Sequence, residues 1–189
     1  MKLQSLASEI LSRPCPHKLR LVAIDGGAGA GKTTLAAQLS QALGKAPILK
    51  MDDFISFRTL TEFWPRMERD VLGPLFEGRP ARYQVRDWVG DMHGEGLLPE
   101  PVETPFAPVI LLEGVGASRK ELTGRLHYAI WVETPEDERL RRGLERDAGI
   151  EGIREIWLKF QVGERAFLEA DGARERADLI LDGRVPIED

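Results

Sequence analysis

The stretch Leu19-Arg-Leu-Val-Ala-Ile-Asp-Gly-Gly-Ala-Gly-Ala-Gly-Lys-Thr-Thr34 decides how the rest of the chain is read. It contains G-x-x-x-x-G-K-T, running from Gly26 to Gly31, Lys32 and Thr33. The apolar run Leu21–Ile24 before it reads as a buried strand, and Leu35, Ala36, Leu39 and Leu43 after it have helical spacing. Strand, glycine loop and helix in that order predict a loop that holds the phosphates of a nucleoside triphosphate. Glycines at 26, 27, 29 and 31 permit positive φ and close backbone approach. The N–H groups of Gly26, Gly27, Ala28, Gly29, Ala30 and Gly31, with those opening the helix, then point at the anion. Lys32 is expected on the β- and γ-phosphates as a point charge. Thr33 is expected to place its hydroxyl on Mg²⁺, and Thr34 to offer a second hydroxyl near the α-phosphate. A dinucleotide-binding G-x-G-x-x-G loop is excluded, because Lys32 stands where its third glycine belongs.

Composition narrows the partners. The 189 residues suit one domain spanning 1–189, and 42% hydrophobic with 30% charged residues is the balance of a soluble globular chain. A net charge of −5 without a lysine-rich tail speaks against nucleic acid. No run approaches a membrane span, and Met1–Ile10 lacks an apolar signal core, so a cytoplasmic location is expected. The single cysteine, Cys15, excludes internal disulfides and cysteine metal cages. Asparagine is absent, so no N-K-x-D segment can read guanine; this favours adenine nucleotide or an unselective base pocket.

Along the chain, strands alternate with helices, which predicts an α/β fold with a doubly wound parallel sheet. A short helix is expected at Leu3–Leu11, strands at 46–51, 109–112, 127–132 and 179–181, and helices over 61–76, 135–147 and from Ile153 to Leu168. Pro65 and Pro74 are expected to interrupt the helix over 61–76. Residues 78–108 read as irregular, with an extended piece at 81–88. Ligands of such sheets lie at the carboxyl ends of the strands, where Asp52-Asp53, Glu113 and Glu133 all fall.

Transfer of a phosphoryl group to a hydroxyl needs a carboxylate that orients the hydroxyl and takes its proton, and Asp52 or Asp53 can supply it. Glu113 ends the apolar run and is expected to hold Mg²⁺, often through water. Arg139, Arg142 and Arg146 share one helix face and can neutralise charge as the phosphoryl group moves. The region of about 54–105, and in it Tyr83, Arg86 and Trp88, is expected to hold the acceptor. The helix of about 135–150 is expected to act as a lid.

Four segments carry a resemblance, in order: I-D-G-G-A-G-A-G-K-T-T-L-A, K-M-D-D-F, V-I-L-L-E-G-V and W-V-E-T-P-E-D-E-R-L-R-R-G-L-E-R-D. A weaker one is A-D-L-I-L-D-G. Together they resemble the uridine kinase, phosphoribulokinase and pantothenate kinase group of P-loop kinases over about residues 19–183. The resemblance implies the three-layer P-loop nucleoside triphosphate hydrolase fold, ATP with Mg²⁺, and a small-molecule acceptor bearing a hydroxyl. It also implies Asp52 as base, Lys32 on the phosphates, Glu113 with Thr33 at the metal, and Arg142 and Arg146 in the lid. The opening I-D-G-x-A-G-A-G-K is also similar to cytidylate kinases, whose acceptor is a phosphate and needs several arginines; Arg58, Arg66, Arg82 and Arg86 are the candidates. A regulatory module that binds ATP and hydrolyses it weakly is the reading from another class. A homodimer is the expected assembly.

Overall fold

The computed structural model describes residues 2–56, 60–91 and 94–187. In chain order the elements are α1 (Leu3–Ser12), β1 (Arg20–Asp25), α2 (Lys32–Ala42), β2 (Ile48–Lys50), α3 (Trp64–Met67), α4 (Gly73–Phe76), β3 (Ala81–Tyr83), β4 (Val102–Thr104), β5 (Val109–Glu113), β6 (Leu126–Glu133), α5 (Glu136–Arg146), α6 (Ile153–Asp171) and β7 (Leu179–Asp182). The main sheet has the order β2-β5-β1-β6-β7, and every pairing in it is parallel. This is the parallel α/β sheet expected from the alternation of strands and helices, as the P-loop fold implied by the resemblance requires.

Alternation along the strands divides the core between the two faces of the sheet. Leu21 and Ala23 of β1, with Ile110 and Leu112 of β5, face a cluster containing Met67, Val71, Leu72, Leu75 and Tyr83. Val22 and Ile24, with Val109 and Leu111, face a second cluster built by Leu6 and Ile10 of α1 and by Leu35, Ala36 and Leu39 of α2. Burial on both faces is why β1 and β5 read as continuous apolar runs. Each fully buried leucine or isoleucine contributes about 1.5–3 kcal/mol.

Two local readings are corrected. The prolines at 65 and 74 do not interrupt the helical run from Trp64 to Phe76: Pro65 sits in its first turn, where no intrahelical N–H is needed. Ahead of Pro74 the chain widens to a π-turn over Glu68–Leu72, which accommodates a ring that a regular helix interior would reject. Within 78–108 a short antiparallel hairpin forms, with Ala81, Arg82 and Tyr83 opposite Thr104, Glu103 and Val102. No helix of the described residues is long and apolar enough to cross a membrane.

Candidate active site

The glycine loop joins the carboxyl end of β1, at the centre of the sheet, to the amino end of α2. Gly26, Gly29 and Gly31 adopt φ of +138°, +79° and +102°, which residues with a β-carbon rarely tolerate. Gly27 has a different reason to be glycine: a β-carbon there would overlap the Arg139 guanidinium. Lys32 is buried, and its Nζ donates to the Gly27 carbonyl at 2.8 Å, which folds the lysine back over the loop. Thr33 and Thr34 lie exposed on the first turn of α2.

An acid that sequence reasoning left without a role anchors the loop. Asp25, the last residue of β1, is completely buried. One carboxylate oxygen accepts the N–H groups of Gly26 (2.7 Å) and Gly116 (2.8 Å). The other accepts the N–H (2.7 Å) and hydroxyl (2.8 Å) of Ser118. Burial pushes its pKa up and these donors pull it back. Asp25 thus ties the start of the glycine loop to the segment that follows Glu113. Its signal was in the sequence: an acid closing an apolar strand immediately before the glycines.

Glu113 ends β5 next to β1, in register with Ile24 and with Lys50 of β2. It is 5% exposed, and its Oε1 accepts the Thr33 hydroxyl at 3.2 Å. Burial raises its pKa; Lys32 opposes that rise, and the nearby Asp52 charge adds to it. A hydroxyl and one carboxylate side by side, with a second carboxylate close, suit Mg²⁺, which keeps several waters and takes only one or two protein ligands beside phosphate oxygens. The described residues hold no cluster of three or more His, Cys, Asp or Glu side chains able to cage a metal.

Asp52 and Asp53 form a single 3₁₀ turn, Met51–Asp53, directly after β2. Asp52 is exposed, and its charge is felt by both Glu113 and Arg146. Its backbone is fixed from the loop: the Trp88 indole N–H donates to the Asp52 carbonyl at 2.8 Å, and the Arg86 N–H to the Asp53 carbonyl at 3.0 Å. Asp53 is half-buried. Burial raises its pKa, and Lys50 and Arg66 oppose that, while the Tyr83 hydroxyl faces the Thr104 hydroxyl at 3.4 Å. Tyr83 itself is buried, stacked on Phe54 with ring centroids 5.0 Å apart.

Arg86 shapes the loop. Its guanidinium donates to the carbonyls of Asp87 (3.1 Å), Gly96 (2.7 Å), Asp91 (2.5 Å) and Gly94 (2.6 Å). A cavity of about 250 Å³ lies beside it, lined by Phe54, Glu62, Phe63, Arg66, Arg86, Glu95 and Leu97. Arg66 stacks over the Phe54 ring at 4.7 Å and donates to the Gln84 carbonyl at 2.6 Å, while the Ser56 hydroxyl donates to Glu95 at 2.5 Å. Sequence reasoning missed Glu62 and Glu95 as cavity residues because neither belongs to a motif. Of the four arginines considered for a phosphate acceptor, Arg66 lines this cavity, Arg82 is exposed opposite Glu103 in the hairpin, and Arg58 lies outside the described residues.

The three arginines of α5 have different partners. Arg139 bonds to the glycine loop and to Glu164. Arg142 donates to Glu138 at 2.8 Å and to the Gly183 carbonyl at 3.1 Å, beside Gly31. Arg146, two-thirds exposed, pairs with Asp147 and lies over the Trp157 ring at 5.5 Å. Hydrogen bonding to Asp147 raises its pKa, and the Asp52 charge adds to that. Arg142 and Arg146 therefore flank the glycine loop and the acid end respectively. Glu133, expected in the cleft, is instead engaged by the Trp131 indole (3.1 Å) and by Arg174 (2.7 Å).

No protein-family model matches the chain. Among curated proteins it is similar to a uridine kinase of Borrelia duttonii, 24% identical over 86% of each chain. It is also similar to a dephospho-CoA kinase of Thermus thermophilus, 30% identical over 89% of this chain and 85% of that one. Among solved structures it superposes on a candidate fructose transport system kinase from Silicibacter with a TM-score of 0.70, covering 95% of this chain and 98% of the other at 22% identity.

Proposed function

The chain belongs to the uridine kinase-like P-loop kinases and is a small-molecule phosphotransferase, and we propose that it moves the γ-phosphoryl group of ATP to a hydroxyl of an acceptor that carries no phosphate, such as a nucleoside or a sugar. One observation carries this reading: Thr33, Glu113 and Asp52 converge at the strand ends, and a separate cavity opens beside the Asp52-Asp53 turn. The N–H groups of Gly26 and Ala28, expected on the anion, are instead held by Asp25 and Glu164; the other glycine-loop N–H groups and Lys32 hold the triphosphate. Thr33 and Glu113 are the residues that would hold Mg²⁺, which neutralises charge on the phosphate oxygens when bound.

Asp52 orients the acceptor hydroxyl and takes its proton as the oxygen attacks the γ-phosphorus and the bond to ADP breaks. Arg146, close enough to feel the Asp52 charge, stabilises the moving phosphoryl group from the side of α5. Trp88 acts on the acceptor side by fixing the Asp52 backbone, and Tyr83 by stacking on Phe54, which lines the cavity. The family kinship supports transfer to a small molecule over a regulatory module.

The cavity's side chains separate acceptor classes. Glu62 and Glu95 bring two carboxylates to this cavity, beside Arg66 and Arg86. Carboxylates accept hydrogen bonds from sugar hydroxyls and repel phosphate. This favours a hydroxylated acceptor over the nucleoside monophosphate of a cytidylate kinase-like enzyme. The test is ADP release from Mg²⁺-ATP in the presence of a panel of nucleosides, nucleotides, sugars and vitamins. The proposal expects stimulation by a phosphate-free hydroxyl compound. Stimulation by a nucleoside monophosphate alone, or by no acceptor, would contradict it.

A further inference from the structure

The peptide of Ala28, at the crown of the glycine loop, is gripped at both ends by two side chains that come from elsewhere. Its N–H donates to Oε1 of Glu164 at 2.5 Å, and its carbonyl accepts from Nη1 of Arg139 at 3.2 Å. The two side chains pair with each other at 2.6 Å, and Arg139 Nε also donates to the Thr134 carbonyl at 3.2 Å. Glu164 is 1% exposed and the Arg139 side chain 13%. Gly27 lies directly under the Arg139 guanidinium, which a β-carbon there would displace, and the Arg139 backbone sits so close to Gly29 that a β-carbon there would overlap its carbonyl.

Glu164 stands in the middle of α6, 136 residues along the chain from Ala28. It belongs to a buried stripe of Trp157, Gln161, Glu164 and Asp171, while Leu158 and Val162 of the same helix are exposed. The apolar residues its sequence pattern marks, Ile153, Ile156, Phe160, Phe167 and Leu168, are partly buried on α6, while three of its four most buried side chains are polar. Its polar groups are used: Gln161 donates to the Glu136 carbonyl at 3.3 Å, and Asp171 accepts the Lys120 N–H at 3.0 Å. Burying a charged pair costs more than packing apolar side chains of the same size. The position of this pair, on one loop peptide, identifies what that cost secures.

We propose that Glu164 and Arg139 are positioning residues for the nucleotide: together they hold the Ala28 peptide in the orientation that lets the remaining glycine-loop N–H groups converge on the triphosphate. Neither side chain touches the reacting atoms. Arg139 is also the first arginine of α5, so the same pair sets where α5 sits over the loop and hence where Arg142 and Arg146 are presented. This rests on the reading of residues 26–33 as the triphosphate site.

The test is the affinity for Mg²⁺-ATP measured by titration calorimetry, alongside thermal melting of the nucleotide-free protein. Glu164→Gln keeps an oxygen for the Ala28 N–H but removes the charge from Arg139. Arg139→Lys keeps the charge but is shorter and lacks the Nε–H that holds the Thr134 carbonyl while Nη1 bridges Glu164 and the Ala28 carbonyl. Each is expected to raise the Kd for ATP about ten-fold or more, the worth of a charge-assisted hydrogen bond. The double variant is expected to be little worse than either single one, because both remove the same grip. ATP affinity within two-fold of the unaltered protein, in either variant that folds, would overturn the proposal. So would equal losses that simply add in the double variant. Should the unaltered protein itself bind no ATP, it is the reading of the triphosphate site that fails, which this design separates from failure of the clamp.

Discussion

Replacing Asp25 with asparagine changes the shape of the buried strand end hardly at all, yet reverses the hydrogen-bonding character of one of its two oxygens. Four donors converge on the carboxylate: the N–H groups of Gly26, Gly116 and Ser118, and the Ser118 hydroxyl. Asparagine keeps one accepting oxygen and turns an NH₂ toward the other pair of donors. If that pair is the one from Ser118, its hydroxyl can rotate and accept, but its N–H cannot. A buried backbone donor facing another donor costs about 1–3 kcal/mol, and bonds no longer made to a charge lose about 1 kcal/mol more. Relief from burying the charge offsets part of this. The net loss is about 2–3 kcal/mol, which lowers Tm by roughly 4–12 °C in a chain of this size. Urea unfolding followed by circular dichroism measures it, with an unchanged m-value showing that the same cooperative unit unfolds. A loss below about 0.5 kcal/mol, the level of an inert surface change, would refute the assignment of Asp25 as the anchor joining the glycine loop to the segment after β5.

Three further outcomes are expected. Trp88→Phe keeps most of the ring but removes the N–H that holds the Asp52 carbonyl; kcat should fall about ten-fold through misplacement of the acid, with ATP affinity unchanged. Glu113→Gln should raise the Mg²⁺ concentration needed for half-maximal activity by about ten-fold or more, which a metal titration reads directly; an unshifted curve would remove Glu113 from the metal site. Tyr128 is buried, donates to Glu9 at 2.9 Å, and has a pKa pushed up to about 12, first by burial and then by Glu9. Its contribution is complete below the unfolded tyrosine value of about 10 and is lost as pH rises through the folded value. Tm should therefore drop between pH 10 and 12, and Tyr128→Phe should flatten that drop.

What was legible in the sequence follows from how far each residue's partners lie along the chain. The glycine loop, β1, α2 and β5 announce themselves because local pattern and burial agree: an apolar run buried on both faces has no polar residue to interrupt it. The roles of Thr33 and Glu113 follow from that same local frame, and the structure brings them within hydrogen-bonding distance. The extended piece at 81–88 contains β3, but its partner β4 escaped because Val102–Thr104 is three residues long, with two of them exposed. Glu164 and Arg139 escaped for another reason. Each looks like a solvated charge on a helix, and only the tertiary fold carries them to Ala28. The same distance hides the way Trp88, 36 residues on, reaches back to hold Asp52.

The central claim is that Asp52 accepts the proton of the attacking hydroxyl while the glycine loop holds the nucleotide independently of it. The direct measurement is acceptor-stimulated ADP release by Asp52→Asn, set beside its affinity for Mg²⁺-ATP. The account predicts that turnover falls by about 10²–10⁴, the usual contribution of a positioned base, while nucleotide affinity stays within about two-fold of the unaltered protein, since the triphosphate contacts are left in place. Retained turnover in Asp52→Asn, with the acceptor still bound, would contradict it.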